Sequence, residues 1–262
     1  MFFRECSIKN VGIVGYSEAF GAVLFWKTGK FRVQLIRNLY TSDWRKCMAH
    51  KKVILIRHGK TPGNEEKRYI GSRTDEELIT TEITEIEEKL SSILKLIPDG
   101  IDRVCSSPMK RAVQTAEILV DRDGRDIEVG KNTQIKIIDK LREIDFGLFE
   151  GKNYEELNGD ERYQKWIDSN GMMDFPEGEG RDSFIQRSFE GFIEALGDKY
   201  ADESILIVCH GGSIMSVLSQ LTGNDYYDFM TETLGGYVLE LETDNEGIHI
   251  LSYDKLRNRD NT

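Results

Sequence analysis

The clearest fold signal in this chain is the segment Lys52-Val-Ile-Leu-Ile-Arg-His-Gly-Lys-Thr-Pro-Gly-Asn64. Its residues 53–56 form a short, apolar and mostly β-branched run, which is typical of a strand buried on both faces of a sheet. A polar loop rich in glycine and charge follows over 57–79. The first chemically interesting side chains therefore stand where a buried strand ends.

A second buried strand, predicted over 204–209, also runs directly into a histidine, His210. Strands are further predicted at 102–106 and 134–138, with a closing hairpin formed by 237–242 and 248–253. Apolar spacing and turn residues predict helices at 82–97, 108–120, 154–157, 161–168, 182–200 and 213–221. This alternation predicts an α/β fold, a three-layer sandwich with a mostly parallel central sheet. Active sites in such sheets lie at the carboxyl ends of the strands, where both histidines are placed.

Composition narrows the classes of function. The chain has 262 residues, 39% of them apolar, and a formal net charge of −11. It contains no apolar stretch of about 18 residues that could span a membrane. An acidic protein is a poor general ligand for nucleic acids or membrane surfaces, because both are polyanions. The four cysteines form no C-x-x-C pair, and reduced cysteines are typical of the cytoplasm. We expect a cytoplasmic protein without such partners, and its oligomeric state is unknown from sequence.

The charge is unevenly distributed along the chain. Residues 1–47 carry a net charge of +5 and the remainder carries −16. Such asymmetry suggests two parts with different histories, so we divide the chain into a main domain over 48–262 and an unassigned basic extension over 1–47. Met48 is a candidate for the physiological start of translation. In that case residues 1–47 would be translated from sequence upstream of the natural start. The alternative is an accessory segment that docks on the acidic domain. Segments 20–26 and 31–36 are expected to form a hairpin.

The loop after the first strand has the residue types that phosphoryl transfer needs. A neutral imidazole at His58 can attack phosphorus, and the planar guanidinium of Arg57 can bind phosphate oxygens. Gly59 permits a tight turn, while Thr61 and Asn64 offer uncharged hydrogen bonds. The alternative from these residues alone is an ordinary histidine in a strand-end loop.

Two further residues are placed at the same sheet edge. Arg111 follows the strand at 102–106 and lies in the first turn of a helix, whose N-terminus attracts anions. By itself such an arginine is usually a surface charge. His210 is followed by Gly211 and another helix, and by itself it would pass for a buried core histidine. Two histidines and two arginines at one edge are hard to explain as coincidence.

These motifs together resemble the histidine phosphatase superfamily, which includes cofactor-dependent phosphoglycerate mutases and many phosphomonoesterases. The similarity covers about 50–254 and follows the family's order: R-H-G-x-T-x-x-N, S-P-x-x-R-A-x-Q-T-A, L-x-E-x-D-F-G-x-x-E-G and H-G-G. The resemblance implies that 48–262 is a histidine phosphatase catalytic domain. It also implies that the predicted three-layer α/β sandwich has the phosphoglycerate mutase-like fold.

The resemblance also implies a role for each matching residue. His58 would be the nucleophile that carries a phosphohistidine, surrounded by Arg57, Arg111 and His210. Thr61, Asn64 and Gly211 would bind the phosphoryl group at its edge. Glu143 matches the family's acid/base glutamate. By simple chemistry alone, Asp145 and Glu150 compete with Glu143 for that role, and we interpret Glu150 as structural. No metal and no cofactor are expected, because no carboxylate cluster or histidine pair suits a metal.

The sequence departs from the family pattern at three places. Lys60 stands where the family often has glutamate, a variation that we expect to be harmless. The usual Pro-Leu-Thr-x-x-Gly turn reads Glu77-Leu-Ile-Thr-Thr-Glu82, without its Pro and Gly, which leaves the conformation of that loop open. The usual Gly-Glu-Ser reads Gly178-Glu-Gly180.

The resemblance favours a phosphatase, a phosphoric monoester hydrolase, over a mutase. Similar mutases carry a longer insert with paired arginines and a Pro-rich run, whereas between Gly151 and Pro176 this chain has only Arg162. The segments 64–71 and 74–78 resemble α-ribazole-5′-phosphate phosphatases of cobalamin assembly. We therefore expect a small phosphate ester, most specifically α-ribazole 5′-phosphate, as substrate. The alternatives are a broad-specificity or sugar-phosphate phosphatase, a mutase, or a catalytically weak binding protein on the same fold.

Overall fold

The computed structural model describes residues 48–96, 100–120 and 134–256, together with the backbone of four strands between residues 7 and 35. The chain divides into two compact units, Met1–Met48 and Ala49–Thr262. None of the helices in these described ranges is long and apolar enough to cross a membrane.

The first unit contains an antiparallel sheet of four short strands, each paired with its neighbour in sequence. They are β1 (Ser7–Ile8), β2 (Val11–Ser17), β3 (Ala22–Lys27) and β4 (Lys30–Leu35). β3 and β4 pair from Ala22 opposite Leu35 to Lys27 opposite Lys30. This is the predicted hairpin, whose outer ends at residues 20, 21 and 36 lie outside the described residues.

The second unit alternates strands and helices in the predicted order. Its elements are β5 (Ala49–Arg57), α1 (Pro62–Glu65), α2 (Glu82–Leu94), β6 (Arg103–Ser106), α3 (Lys110–Val120), β7 (Lys136–Ile137), α4 (Tyr154–Leu157), α5 (Glu161–Asp168), α6 (Arg181–Leu196), β8 (Glu203–Cys209), α7 (Gly211–Thr222), β9 (Gly236–Thr243) and β10 (Ile248–Lys255). The helix predicted to reach residue 97 ends at Leu94, and residues 95 and 96 form a turn; residues 97–99 lie outside the described ranges.

Six strands form the central sheet in the order β10-β9-β5-β8-β6-β7. The pairs β5–β8, β8–β6 and β6–β7 are parallel, whereas β9 and β10 complete the sheet antiparallel. The mostly parallel sheet is therefore confirmed. Arg57 lies opposite Cys209 and Ser106 lies opposite Val208. Because these strands end level with one another, the residues that follow them meet at one edge.

The sheet separates two apolar cores, which makes the domain a three-layer sandwich. Alternate strand residues such as Val53 and Leu55 pack with α6 and α7, while Ile54 and Ile56 pack with α2 and α3. This two-residue alternation follows from the pleat of a strand, and it explains why residues 53–56 are all apolar.

A third apolar cluster stands beside the sheet edge. It contains the aromatic rings of Tyr69, Phe146, Phe149, Tyr163, Trp166 and Phe175, which pack mostly edge to face. The helices predicted at 154–157 and 161–168 lie in this part of the chain and are confirmed. Tyr69 N donates to Lys152 O and Gly151 N donates to Tyr69 O, both at 2.9 Å, so the backbone at 151–152 also fixes the loop that begins at Tyr69.

Candidate active site

The two predicted histidines lie side by side at the carboxyl edge of the sheet. His58 N donates to Cys209 O at 3.0 Å, which continues the β5–β8 ladder by one residue. The rings of His58 and His210 are 5.1 Å apart between centroids and are inclined at 63°. Both residues are buried. The parallel register of the two strands therefore places these two residues, distant in sequence, within contact of each other.

The hydrogen bonds of His58 define its tautomer. Its Nδ1 lies 2.7 Å from Gly59 O, and a carbonyl oxygen only accepts, so Nδ1 carries the proton. Nε2 then bears a lone pair, and it accepts from Arg111 Nε at 3.3 Å. Burial lowers the pKa of His58 well below 6.5, and the charges of Arg111 and Arg57 lower it further. The ring is consequently neutral at physiological pH, with its free nitrogen directed toward an arginine.

Arg111 is held by backbone carbonyls. Its Nη1 donates to Thr74 O at 3.0 Å, and its Nη2 donates to Ile70 O and Gly71 O at 3.3 and 3.1 Å. The residue is 1% exposed, and burial lowers its pKa. A guanidinium nevertheless stays protonated in proteins. The loop beside the aromatic cluster thus fixes a buried positive charge against Nε2 of His58.

Arg57 supplies the second positive charge. Its Nη1 donates to Thr231 O at 2.9 Å, while its Nε is buried without a partner among the described residues. Gly211, the first residue of α7, lies beside this side chain, because a Cβ at Gly211 would be 3.7 Å from Arg57 Nε. A bound anion would satisfy the unpaired Nε–H. Gly211 thus lies beside the unpaired Nε–H of Arg57, and its predicted contact with a phosphoryl group stays a prediction.

His210 is fixed by a serine hydroxyl. Its Nε2 lies 2.7 Å from Ser107 Oγ, and that oxygen accepts from Met109 N at 3.3 Å. The other ring nitrogen, Nδ1, is buried and has no partner in the described part of the chain. Burial lowers the pKa of His210 well below 6.5, with Arg111 as the next cause. His210 is therefore a second neutral imidazole with one nitrogen left for a ligand.

Thr61 and Asn64 close the loop that follows His58. Thr61 N donates to Asn64 Oδ1 at 3.1 Å, and Asn64 N donates to Thr61 Oγ1 at 3.4 Å, a capping box at the start of α1. These bonds use only acceptor atoms of the two side chains. The hydroxyl hydrogen and the amide N–H groups are not consumed by the cap, so phosphate contacts as predicted remain possible.

Glu143 is buried close to the positive charges of Arg111 and Arg57. Its Oε1 accepts from Ile144 N at 2.9 Å, and the carboxylate also accepts from the Gly212 N–H. Burial raises the pKa of Glu143 above its ordinary value of 4.5, although Ile144, Arg111 and Arg57 oppose that shift. A carboxyl group with a raised pKa can be protonated before a reaction step and ionised after it, as an acid/base catalyst requires.

The other two candidate carboxylates, Glu150 and Asp145, bind other partners. Glu150 Oε1 accepts from Gly71 N and Thr74 N at 2.9 and 3.0 Å, and its Oε2 accepts from Phe146 N at 3.2 Å. Asp145 accepts from Gly147 N at 2.8 Å and pairs with Arg73 at 2.7 Å. Glu150 thus organises the loop that holds Arg111, and Asp145 closes its own turn. Of the three carboxylates, the geometry favours Glu143 for proton transfer.

Comparison with known proteins assigns this arrangement to a family. The model of the histidine phosphatase superfamily (branch 1) matches residues 53–255. The chain belongs to the histidine phosphatase superfamily. Within the part of this histidine phosphatase that the structure describes, no group of three or more His, Cys, Asp or Glu side chains is placed to hold a metal ion.

Relatives of this histidine phosphatase include several named phosphatases. Phosphoserine phosphatase 1 of Hydrogenobacter thermophilus is 27% identical over 182 residues, which cover 68% of this chain and 79% of that protein. The adenosylcobalamin/alpha-ribazole phosphatase of Escherichia coli K12 is 28% identical over 174 residues, or 66% of this chain and 79% of that one. The crystal structure of the alpha-ribazole phosphatase from Shigella flexneri has a TM-score of 0.59 at 25% identity. The match covers 76% of this chain and 94% of that chain. The chain is accordingly a phosphatase of this superfamily.

Sequence reasoning missed several residues that hold this histidine phosphatase site in place. Ser107 binds His210, and Thr115 Oγ1 accepts from Gly59 N at 3.0 Å. Arg187 donates to Arg142 O at 3.0 Å while pairing with Glu179 at 2.6 Å, which fixes the chain just before Glu143. Ser107 and Thr115 lie inside the recognised motif around Arg111, so that motif was the available signal. No local signal marked Arg187.

The contact between Gly212 and Glu143 gives a testable prediction. A Cβ at Gly212 would lie 2.6 Å from Glu143 Oε1 and 2.9 Å from the Phe184 ring, so Gly212→Ala must displace the carboxylate. We expect kcat to fall about 100-fold, because displacements near 1 Å in an active site cost that much. Gly211→Ala, whose methyl group would meet its nearest atoms at 3.7 Å, should lose far less. Steady-state kinetics check both variants, and equal losses would contradict the assignment of Glu143.

Proposed function

We propose that this enzyme hydrolyses a small phosphate monoester through a phosphohistidine at His58, with α-ribazole 5′-phosphate as its preferred substrate. The observation that carries the mechanism is the tautomer of His58. Its proton is held at Nδ1 by Gly59 O, so the lone pair of Nε2 faces the cationic groups of the site. A nucleophile and a place for the phosphoryl oxygens are thus prepared together.

The first half-reaction forms the phosphoenzyme. Nε2 of His58 attacks phosphorus, the N–P bond forms and the ester P–O bond breaks. Arg57, Arg111 and His210 stabilise the charge on the equatorial oxygens, since phosphoryl transfer depends mostly on positioning and electrostatics. Protonated Glu143 gives its proton to the leaving alkoxide, and the alcohol departs.

The second half-reaction releases phosphate. Ionised Glu143 takes a proton from water as the water oxygen attacks phosphorus, and the N–P bond breaks. The products are inorganic phosphate, neutral His58 and protonated Glu143, which restores the starting state. The same carboxyl group acts as acid and then as base, which its raised pKa favours.

Three exposed methionines that lie next to residues near the site support an apolar leaving group. Met172 and Met173 are 64% and 51% exposed and lie in a glycine-rich loop, residues 171–181, where Met172 contacts Arg181. Met230 is 61% exposed and precedes Thr231, whose carbonyl binds Arg57. Such side chains suit the aromatic base of α-ribazole better than a small charged acid. The alpha-ribazole phosphatase relatives add to this argument.

Phosphoserine is the second candidate substrate, and Arg181 favours it. The Arg181 guanidinium lies 4.8 Å from the centre of the Tyr226 ring, and Tyr226 OH donates to Gly212 O at 3.4 Å, next to Glu143. The Arg181 Nε is buried without a partner in the described residues. A carboxylate on the leaving group would pair with this arginine. The phosphoserine phosphatase relative supports the same alternative.

A mutase is less well supported. Arg162, the only arginine between Gly151 and Pro176, pairs with Asp160 at 2.6 Å at the start of α5. It therefore does not serve as one of the paired arginines that would enclose a returning phosphoglycerate. A binding protein without catalysis is disfavoured because His58, Arg57, Arg111 and His210 are all in place.

A substrate panel tests the proposal. Phosphate release should be compared for α-ribazole 5′-phosphate, phosphoserine, 3-phosphoglycerate, fructose 2,6-bisphosphate and an aryl phosphate. We expect kcat/KM for α-ribazole 5′-phosphate to exceed the others by at least about 10-fold, the scale of one good apolar contact in a pocket. A preference for phosphoserine would transfer the assignment to the second candidate. Comparable slow turnover of all five would reject both specific substrates.

A further inference from the structure

The peptide group between Gly59 and Lys60 lies between the nucleophile and a buried carboxylate. On one side, the carbonyl oxygen of Gly59 accepts the proton of His58 Nδ1 at 2.7 Å. On the other side, Lys60 N donates to Glu82 Oε2 at 3.0 Å. This carbonyl and this N–H belong to the same planar amide. One peptide unit therefore connects the His58 ring to the Glu82 carboxylate through two hydrogen bonds.

The carboxyl group of Glu82 is buried and directed at this peptide. The residue is 3% exposed and forms the first turn of α2, where the helix N-terminus stabilises a negative charge. Its other oxygen, Oε1, lies 3.6 Å from Lys60 Nζ, on a side chain that is 43% exposed. The neighbouring backbone is held as well, because Ile79 N donates to Lys60 O at 3.0 Å.

Two departures from the family pattern meet in this contact. Lys60 stands where the family often has glutamate, and Glu82 ends the turn whose usual glycine is missing. In the sequence, the two departures look like unrelated substitutions. In the fold the two residues form an ion pair and a hydrogen bond directly behind the His58–Gly59 turn.

We propose that Glu82 is a positioning residue that acts on His58 through the Gly59–Lys60 peptide group. This inference rests on the proposed role of His58 as the nucleophile. The carboxylate polarises the amide, so the carbonyl of Gly59 becomes a stronger acceptor for Nδ1–H. When Nε2 attacks phosphorus, the imidazole ring gains positive charge and this acceptor bond strengthens. Glu82 thereby stabilises the phosphohistidine relative to the free enzyme.

The test is the variant Glu82→Gln, which keeps an oxygen acceptor for Lys60 N and removes the charge. Rapid-quench measurements should follow formation and hydrolysis of the phosphoenzyme separately. We expect formation to slow about 10-fold, the scale typical of a partner that orients a catalytic group. Hydrolysis of the phosphoenzyme should not slow, because the cationic ring that must depart has lost its stabilising carboxylate. A residue with only a structural role would slow both steps when removed.

The matched control is Glu85→Gln, which removes the same charge from an exposed position on the same helix. It should leave both rates unchanged. This control distinguishes the proposed action of Glu82 through the Gly59–Lys60 peptide, which we call the relay, from a general effect of removing a negative charge. Nitrogen-15 NMR of the His58 ring provides a second readout that does not depend on turnover. In the Glu82→Gln variant the pKa of His58 should fall, whereas in Glu85→Gln it should not move. Thermal unfolding shows whether either variant is folded.

Equal slowing of both steps in Glu82→Gln, or no change in either, would overturn the relay. An unchanged pKa of His58 in that variant would overturn it as well. The role of His58 is tested independently by its own alanine variant. If that variant loses turnover while Glu82→Gln behaves as wild type, the relay falls and the proposed function stands. If the alanine variant keeps full turnover, the proposed function falls first.

Discussion

His58→Ala is expected to abolish both turnover and the formation of a phosphoenzyme. The substitution removes the ring nitrogen Nε2, whose lone pair faces Arg111, so the proposed covalent intermediate cannot form. We expect kcat to fall by about 10⁴-fold or more, as is typical when a covalent nucleophile is deleted. This loss corresponds to about 5 kcal/mol of transition-state stabilisation. Radiolabelled substrate followed by alkaline quench measures the intermediate, and phosphate release measures turnover.

His249→Ala is the matched control for this variant. His249 is exposed and lies 3.3 Å from Asp244 at the far end of the β9–β10 hairpin, so its loss should not change kcat. The His58→Ala protein should still bind phosphate, because Arg57, Arg111 and His210 are retained. Hydrolysis at more than a tenth of the wild-type rate in His58→Ala would contradict the proposed nucleophile.

Glu143→Gln is expected to have the second-largest effect, and its size should depend on the leaving group. Glutamine keeps the shape and one acceptor oxygen but cannot give a proton to a departing alkoxide. For an alkyl phosphate we expect kcat to fall about 10²- to 10⁴-fold, the usual range for loss of a general acid. For an aryl phosphate, whose aryloxide needs no proton to leave, formation of the phosphoenzyme should be nearly as fast as in the wild type.

The pH profile gives an independent check on the same residue. Phosphoenzyme formation needs neutral His58 and protonated Glu143. Because the pKa of His58 is lowered well below 6.5, the acid limb should lie below that value. Because burial raises the pKa of Glu143 above 4.5, activity should decline as the pH rises through that higher pKa. Glu143→Gln should lose the alkaline limb and keep the acid limb.

The ionisation of the substrate affects the pH profiles of the wild type and of Glu143→Gln equally. Comparing the two profiles therefore removes the contribution of the substrate. Glu150→Gln is the informative second carboxylate. Since Glu150 accepts from the N–H groups of Gly71, Thr74 and Phe146, it should affect stability and KM more than the shape of the pH profile. An unchanged alkaline limb in Glu143→Gln, or its loss in Glu150→Gln, would move the acid/base role away from Glu143.

The sequence determined the order of the secondary-structure elements and the family. Periodicity is a local property: residues 53–56 must be apolar because their strand is covered on both faces, and β5 follows from that alone. The helices at 154–157 and 161–168 were predicted with the bounds that the structure has. The strand ends of β5 and β8 also placed His58 and His210 at one edge, since parallel strands share a direction.

The chemistry of the residues alone left three neighbouring carboxylates as candidates, and the tertiary structure shows how their surroundings differ. Glu143, Asp145 and Glu150 lie within one short segment and have the same chemistry in sequence. They differ in their partners. The backbone N–H groups of Gly71 and Thr74, 79 and 76 residues earlier, bind Glu150, and Arg73 pairs with Asp145. Such partners depend on how loops pack, which no local pattern records.

The hydrogen bonds that set the protonation of the site were also beyond the sequence. The proton of His58 is fixed by Gly59 O, and the peptide that provides this oxygen is fixed by Glu82, which lies 22 residues from Lys60. Sequence spacing identifies residues that can do phosphoryl chemistry, because it reports element order and strand ends. Which nitrogen holds the proton, and which charge stands behind it, depends on distances of about 3 Å that only the folded chain creates.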